Sequence, residues 1–316
     1  MTPMRPWSRR GAAILLMLGP VGLLPAASPR YSAMIHSTPL VMQGPWAVVQ
    51  VRLNGDPQPY RFIVDSAAGA SVVDERLARQ LAARTTPTTG SIQGASGSET
   101  AFQSITLKRL HVAGIGITAL SVAVTDMARF GEKEGQHYDG ILGADVLGRY
   151  TYVFDVPAGR LTFIDRDRPD PRYWSRCMDN PLLSRPGGAN GFLAVPVALA
   201  PGKAALGIVD TGAKTTVLNW PAAHLKGLSA GGPGVATGTP LSGFDPHSAT
   251  PSYSARINGA SIGKAALPDF DARLSDLAVF DGFGLKTNPG VIVGVNVWRR
   301  LPFAAARGAK TICLQT

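Results

Sequence analysis

The chain has 316 residues, of which 45% are hydrophobic and 16% charged, with 36 glycines, 25 prolines, two cysteines and a net charge of +10. That hydrophobic fraction excludes a disordered polymer, and the glycine and proline content argues against long helices and for short strands joined by turns. Two cysteines exclude a disulfide framework and a cysteine-based metal cluster, and five scattered histidines lack the spacing of metal ligands. We therefore expect neither a metal nor a cofactor.

The N-terminal segment 1–27 has the three-part layout of a secretory signal peptide. Three arginines and no acid precede an apolar run from Ala12 to Leu24, and Pro25-Ala26-Ala27 supplies the small residues of a cleavage site. The run is shorter than the roughly 20 residues that a membrane span needs, which disfavours the alternative of an uncleaved anchor. We expect a periplasmic or secreted protein without stable membrane insertion once the signal is removed.

The charge of the mature chain argues against a nucleic-acid partner. Removal of the segment 1–27 takes away three arginines, so the net charge falls from +10 to +7. A basic protein can bind nucleic acid or an anionic surface, but here the charges of both signs are interspersed and no aromatic platform stands beside a basic run. The pattern favours a solvated, mildly cationic surface.

Both halves of the chain open with a predicted β-hairpin. Residues 48–65 alternate apolar and polar side chains around an Asn54-Gly55 turn, which is typical of a hairpin. Residues 192–210 show a similar pattern around Pro201-Gly202. In each half the second strand ends on an aspartate that is followed by a hydroxyl residue.

Further segments repeat between the halves in the same order. The matching pairs are 63–73 with 208–218, 110–120 with 257–267, 140–146 with 291–297, and 152–163 with 303–314. The offset drifts from 145 to 151 residues, which indicates an internal duplication and not four chance matches.

The repeat sets the expected domain organisation. We predict a signal peptide over 1–27, an N-terminal lobe over 28–165, a linker rich in Pro, Arg and Asp over 166–190, and a C-terminal lobe over 191–316. The fold class is all-β, with two duplicated β-barrel lobes. The length accommodates a core in each lobe.

Only short stretches show a helical pattern. They are Glu75–Ala83, Asp145–Arg149 and Asn296–Arg300. Asp and Asn are favoured at the N-cap, because their side-chain oxygens accept hydrogen bonds from the first free N–H groups of a helix. We therefore expect Asp145 and Asn296 to cap the latter two helices.

These loops and strands together resemble the retropepsin-like aspartic peptidases, in the bacterial form with two lobes in one pepsin-like chain. That family places an Asp-Thr/Ser-Gly loop after a buried strand, then a flap hairpin, then an apolar-apolar-Gly strand that threads past the loop. Asp210-Thr211-Gly212-Ala213 matches the motif in full. By resemblance, Ile141-Leu142-Gly143 and Ile292-Val293-Gly294 are the threading strands. The likeness covers roughly residues 45–316 apart from the linker.

The first loop, Asp65-Ser66-Ala67-Ala68, departs from the family pattern, because Ala67 stands where the family has Gly. Alanine keeps the backbone N–H that the family uses to bind the aspartate, but its methyl adds bulk to a tightly packed loop. The departure therefore bears on catalysis more than on the fold. The resemblance further implies that the hydroxyls of Ser66 and Thr211 bond across to the opposite loop and support it.

The resemblance also implies two substrate-binding flaps. Gly94-Ala95-Ser96-Gly97 begins 29 residues after Asp65, and Gly238-Thr239 begins 28 residues after Asp210. The alternative for the first of these segments is an ordinary hairpin without a role in binding.

The chemistry explains why two aspartates are needed. Hydrolysis of an amide without a covalent intermediate requires one group that takes a proton from water and another that gives one to the carbonyl oxygen. Two neighbouring carboxylates share one proton, and aspartic proteases are the standard example of such a pair. The resemblance thus predicts Asp65 and Asp210 as the catalytic dyad of an endopeptidase. Because both aspartates lie in one chain, a monomer is sufficient to hydrolyse a peptide or protein substrate.

Two rival hypotheses remain open. In the first, the chain is a non-catalytic peptide-binding protein whose cleft has lost turnover through Ala67. In the second, it is an envelope scaffold in which the duplication supplies only a β-rich surface. A pure scaffold gives no reason to retain both aspartates, both hydroxyls and both threading strands.

The two cysteines are expected to form one disulfide. Export exposes Cys177 and Cys313 to an oxidising compartment, and no other cysteine competes. The family's architecture implies that the ends of both lobes gather in one sheet, which would bring the two residues together. The alternative is a pair of buried thiols.

Overall fold

Structure is described, in a computed structural model, for residues 35–82, 88–93, 99–131, 135–164, 177–179, 182–183, 192–241, 249–306 and 311–314. The predicted signal peptide, most of the predicted linker and the predicted flap residues Gly94-Ala95-Ser96-Gly97 lie outside this part of the chain. Among the described residues no helix is long and apolar enough to cross a membrane.

The described elements are 24 strands and six short helices, which confirms the all-β fold class. The strands are β1 (Ile35–Pro39), β2 (Val41–Gln43), β3 (Trp46–Leu53), β4 (Tyr60–Val64), β5 (Val72–Asp74), β6 (Thr88–Gln93), β7 (Glu99–Val112), β8 (Ile115–Thr125), β9 (Gly140–Leu142), β10 (Thr151–Asp155), β11 (Arg160–Ile164), β12 (Cys177–Asp179), β13 (Leu182–Leu183), β14 (Phe192–Ala200), β15 (Lys203–Val209), β16 (Thr216–Leu218), β17 (Val235–Leu241), β18 (Thr250–Ile257), β19 (Ser261–Ile262), β20 (Ala265–Ala266), β21 (Phe270–Leu274), β22 (Gly290–Val293), β23 (Phe303–Ala306) and β24 (Thr311–Leu314). The helices are α1 (Glu75–Ala82), α2 (Ala128–Gly131), α3 (Ala144–Leu147), α4 (Trp220–Leu225), α5 (Ala278–Gly282) and α6 (Val295–Trp298).

Two sheets repeat one strand order. The first half runs β3-β4-β9-β5-β8-β7-β6, and the second runs β14-β15-β22-β16-β21-β18-β17. In each sheet the strand before the aspartate lies parallel to a late strand, β9 or β22, which also pairs antiparallel with the strand after the aspartate. The late strand therefore enters between the two strands that flank the loop, as the resemblance implies. In the first half, β3 also pairs with β7 and closes a ring of six strands.

A third sheet joins the two halves. Its order is β1-β11-β10-β23-β24-β12, so the closing hairpin of the first half pairs directly with that of the second. Tyr152 and Phe154 face Phe303 across this junction, with ring centroids 5.9 and 5.5 Å apart. Trp298 packs edge-on against the same ring at 4.9 Å, and all four aromatic side chains are buried. Because apolar contact removes this surface from water, the junction stabilises the arrangement of the halves.

The short helices correct one prediction. Asp145 and Asn296 are not N-caps: Gly143 caps α3 and Gly294 caps α6, both in extended conformation. The Asp145 carboxylate instead accepts a hydrogen bond from Ser71 Oγ at 2.7 Å. Asn296 Oδ1 accepts one from the Thr216 hydroxyl at 2.9 Å. Each of these oxygens thus accepts from a distant hydroxyl, and Asp145 Oδ1 also accepts from the N–H of the next residue, Val146, at 3.0 Å.

Cys313 is buried and disulfide-bonded. Cys177, the other cysteine of the sequence, lies directly opposite it in the antiparallel pair of β12 and β24. The bond between them ties a strand of the predicted linker to the edge of the sheet that joins the halves.

We expect the Cys177→Ala/Cys313→Ala double variant to lose about 2–5 kcal/mol of unfolding free energy, because the bond closes a long loop in the unfolded chain. Urea denaturation of the variant and of the wild type, each with and without reductant, measures the loss. Reductant should destabilise the wild type alone. Two alkylatable thiols in the unreduced native protein would contradict the bond.

Candidate active site

Two equivalent loops carry the predicted aspartates. Asp65 follows β4 and Asp210 follows β15, and both are half-buried. The backbone N–H of Asp65 donates to the Leu142 carbonyl on β9, and that of Asp210 donates to the Val293 carbonyl on β22, each at 3.0 Å. The strand that enters each sheet therefore positions the aspartate from behind.

Each aspartate is held by its own loop. Asp65 Oδ1 accepts from the N–H groups of Ala67 and Ala68 at 2.9 and 2.8 Å. Asp210 Oδ1 accepts from Gly212 and Ala213 at the same two distances. In the described part of the chain neither Oδ2 accepts a hydrogen bond, so one oxygen of each carboxyl is left for a ligand or for water. The N–H of Ala67 is used as the resemblance implies.

Ser66 and Thr211 link the two loops through four reciprocal hydrogen bonds. Ser66 N–H donates to Thr211 Oγ1 at 3.0 Å, and Thr211 N–H donates to Ser66 Oγ at 3.1 Å. Ser66 Oγ donates to the Val209 carbonyl at 2.7 Å, and Thr211 Oγ1 donates to the Val64 carbonyl at 2.8 Å. Both hydroxyl residues are fully buried. Every donor and acceptor of this core is paired, which fixes the register of one loop against the other.

This linkage brings the two carboxyls together. A Cβ atom added to Gly212 would lie 2.1 Å from Asp65 Cγ, so the Asp65 carboxyl packs directly on the loop of Asp210. The close approach requires glycine at position 212, because any side chain would overlap the carboxyl.

The environment raises the pKa of both carboxyls. Burial is the larger cause at Asp65, and its two backbone hydrogen bonds act against it. At Asp210 burial and then the negative charge of Asp65 raise the pKa well above its usual range, again against two backbone hydrogen bonds. Two close carboxyls that resist double ionisation retain one proton between them.

A second layer of hydrogen bonds supports each loop. Ser71 Oγ accepts from Gly143 N–H at 3.0 Å, and Thr216 Oγ1 accepts from Gly294 N–H at 3.1 Å. Both glycines touch the loop backbone so closely that a Cβ atom would lie within 2.8 Å of it. Of the predicted threading residues, Ile141 and Leu142 belong to β9. Ile292 and Val293 belong to β22, and the two glycines follow these strands.

The second predicted flap forms a hairpin of β17 and β18 that contains Gly238 and Thr239. Arg273, on β21, donates to the Thr239 carbonyl, to the Thr239 hydroxyl and to the Ser252 hydroxyl. Sequence reasoning missed this guanidinium, because Arg273 lies 34 residues beyond Thr239 and in no motif. It links the hairpin to β21.

Two apolar clusters flank the loops. The first apolar cluster, from the first half, is formed by Trp46, Val48, Ile63, Val72, Ala123, Met127, Tyr138 and Ile141. The second apolar cluster, from the second half, is formed by Phe192, Ile208, Val217, Leu277, Val279, Phe280, Leu285 and Ile292. Lys214 crosses between the halves, with its Nζ 5.8 Å from the centroid of the Trp46 ring. The members of both clusters are buried, so the clusters support the loops from inside each half.

Comparison with known proteins agrees with this geometry over the first half. A family model described as aspartyl protease matches residues 49–146. No curated protein matches the chain. The matched region contains the first loop and β9, so the similarity indicates peptidase chemistry in general terms. It ends before the second loop begins.

We expect Thr211→Val to lower the free energy of unfolding by about 2–4 kcal/mol, because it leaves the buried Ser66 N–H and Val64 carbonyl without partners. Urea denaturation measures the loss. The matched control is Thr215→Val, in the same loop but outside the network that links the halves. Equal losses in the two variants would contradict the assigned role of the Thr211 hydroxyl.

The raised pKa values predict a pH dependence of stability. A carboxyl whose pKa is higher in the folded than in the unfolded protein binds more protons when folded, so its contribution to stability is complete below the unfolded pKa and is lost as pH rises through the folded pKa. We expect the unfolding free energy of the wild type, relative to Asp210→Asn, to fall as pH rises from 4 towards 8. Denaturation of both proteins across this range measures the difference. A difference that is flat or that rises with pH would contradict the raised pKa.

Proposed function

We propose that the chain is an exported aspartic endopeptidase that hydrolyses peptide bonds with water activated by Asp65 and Asp210. The observation that supports the proposal is the reciprocal hydrogen bonding of Ser66 and Thr211, which joins the two loops that carry Asp65 and Asp210. Nothing in the packing of a scaffold requires two half-buried carboxyls at the point where two loops meet. In a scaffold, replacing these two carboxyls by neutral side chains would remove the repulsion and the desolvation that destabilise them.

The reaction follows from a pair that holds one proton. The ionised carboxyl takes a proton from a water molecule as the water oxygen attacks the carbonyl carbon of the peptide, and the protonated carboxyl gives its proton to the carbonyl oxygen. The product of this step is a neutral tetrahedral diol, and the pair again holds one proton. In the second step one hydroxyl proton passes to the ionised carboxyl, the other carboxyl gives the proton it took from water to the nitrogen, and the C–N bond breaks. The pair ends in its starting state.

Two features support a peptide as the substrate. The hairpin of β17 and β18 corresponds to a flap that the resemblance implies, and one oxygen of each carboxyl accepts no hydrogen bond among the described residues, which suits an extended peptide held against the pair. Because both carboxyls come from one chain, a monomer contains the complete pair. The pattern of residues 1–27 and the disulfide of Cys313 support export to an oxidising compartment.

We expect the purified mature protein to cleave members of a peptide library between pH 3 and 8. Asp65→Asn and Asp210→Asn should each lower the cleavage rate at least about 100-fold, because each removes a group that moves a proton in the reaction. Mass spectrometry of the digests measures the rates.

Asp271→Asn is the matched control, since Asp271 is exposed and pairs with Arg256 on the surface. It should retain the wild-type rate. Thermal unfolding should show that all three variants fold. Cleavage that survives in either dyad variant would overturn the proposal, and peptide binding without cleavage by the wild type would favour the non-catalytic peptide-binding protein.

A further inference from the structure

The third residue of the second loop faces the carboxyl of the first loop. This is seen at Gly212, where an added Cβ atom would lie 2.1 Å from both Asp65 Cγ and Asp65 Oδ2. Ala67 is the equivalent residue of the first loop, since each is two residues beyond its aspartate and donates its N–H to Oδ1 of that aspartate. The first loop therefore carries a real methyl group at a position whose counterpart tolerates none.

The methyl of Ala67 lies on the side of the second half. Ala67 packs against the second apolar cluster, which contains Phe192, Ile208 and Ile292, although its own strand belongs to the first half. The neighbouring Ala68 packs against the first apolar cluster, as a residue of the first half is expected to do. The two alanines of one loop thus serve opposite halves, and Ala67 reaches across to the surroundings of Asp210.

The surroundings of the two carboxyls therefore differ. Asp65 faces the bare Cα of Gly212, whereas Asp210 faces a loop that carries a methyl. A methyl displaces water that would otherwise solvate a charged oxygen, so it disfavours the ionised form of the carboxyl beside it. Burial is the largest cause of the raised pKa at both Asp65 and Asp210, so a group that changes the solvation of one carboxyl alone makes the pair unequal.

The charged groups near Asp210 do not remove this inequality. Asp65, on the opposite loop, disfavours a second negative charge on the pair but does not select which member carries the first. Lys214 lies four residues along the same loop and is exposed, with its Nζ over the Trp46 ring of the other half. Asp145, behind the first loop, is engaged by Ser71.

We propose that the Ala67 methyl decides which carboxyl of the pair holds the shared proton, and that this carboxyl is Asp210. Ala67 is then a positioning residue for the proton, and it acts through the solvation of Asp210. For the reaction, which rests on the proposed function, Asp65 is the base that takes a proton from water. Asp210 is the acid that gives its proton to the carbonyl oxygen.

The test measures one carboxyl at a time and needs no turnover. In Asp65→Asn protein, the pKa of Asp210 is measured by carbon-13 NMR of the aspartate carboxyls, with and without Ala67→Gly. We expect Ala67→Gly to lower this pKa by about half a unit or more, because water returns to the carboxyl. In Asp210→Asn protein the same substitution should move the pKa of Asp65 by a smaller amount.

Ala68→Gly is the matched control, because it introduces the same glycine into the same loop and removes a methyl from the first half. It should move the pKa of Asp210 less than Ala67→Gly does. If Asp65→Asn fails to fold, the titration of the pair is compared between the wild type and Ala67→Gly, where the higher of the two pKa values should fall.

A pKa of Asp210 that stays in place or rises on Ala67→Gly overturns the proposal, and so does an equal shift with Ala68→Gly. Failure of the proposed function would appear separately, as wild-type protein that cleaves no peptide while its carboxyls still titrate unequally. In active protein, Ala67→Gly should also move the basic limb of the kcat/KM profile to lower pH.

Discussion

The reciprocal hydrogen bonds of Ser66 and Thr211 are the constraint on which the rest of the site depends. Each hydroxyl accepts from the N–H of the opposite residue and donates to the carbonyl that precedes the opposite aspartate. All of these groups are buried, so a shift of one loop against the other would leave several of them without partners, at a cost of about 1–3 kcal/mol each. The two carboxyls are close because this arrangement of the loops leaves none of these buried groups without a hydrogen-bond partner.

The two loops share one pattern of backbone hydrogen bonds, but some of their equivalent side chains differ. Both loops use the same hydrogen bonds to hold their aspartates, and both are supported from behind by a glycine that follows the entering strand. Ala67 and Gly212 occupy equivalent positions in the two loops, and so do the exposed residues Gly69 and Lys214. A symmetric frame makes the carboxyls neighbours, and the unequal side chains around it make them chemically distinct. A pair that works as acid and base requires both properties.

Much of this was predictable from the sequence, because the pattern was local and repeated. The hairpins that end on Asp65 and Asp210 follow from alternating apolar residues and a turn, and the repeat doubles the evidence for each. Asp145 was wrongly predicted as a cap, because its side-chain partner Ser71 lies 74 residues away and no local pattern records that contact. The contacts of Arg273 and the packing of Ala67 against the opposite half could not be predicted from the sequence for a similar reason. Both are contacts between distant segments, and neither residue stands in a pattern that records its partner.

A crystal structure of the protein with a statine-type peptide, whose central hydroxyl imitates the tetrahedral diol, tests the central claim most directly. If the two halves build one site, that hydroxyl lies between the carboxyls, within hydrogen-bonding distance, about 2.5–3.0 Å, of an oxygen of Asp65 and of Asp210. The peptide should then run beneath the hairpin that contains Thr239. A hydroxyl bound to one carboxyl alone, or a peptide bound elsewhere, would contradict the account.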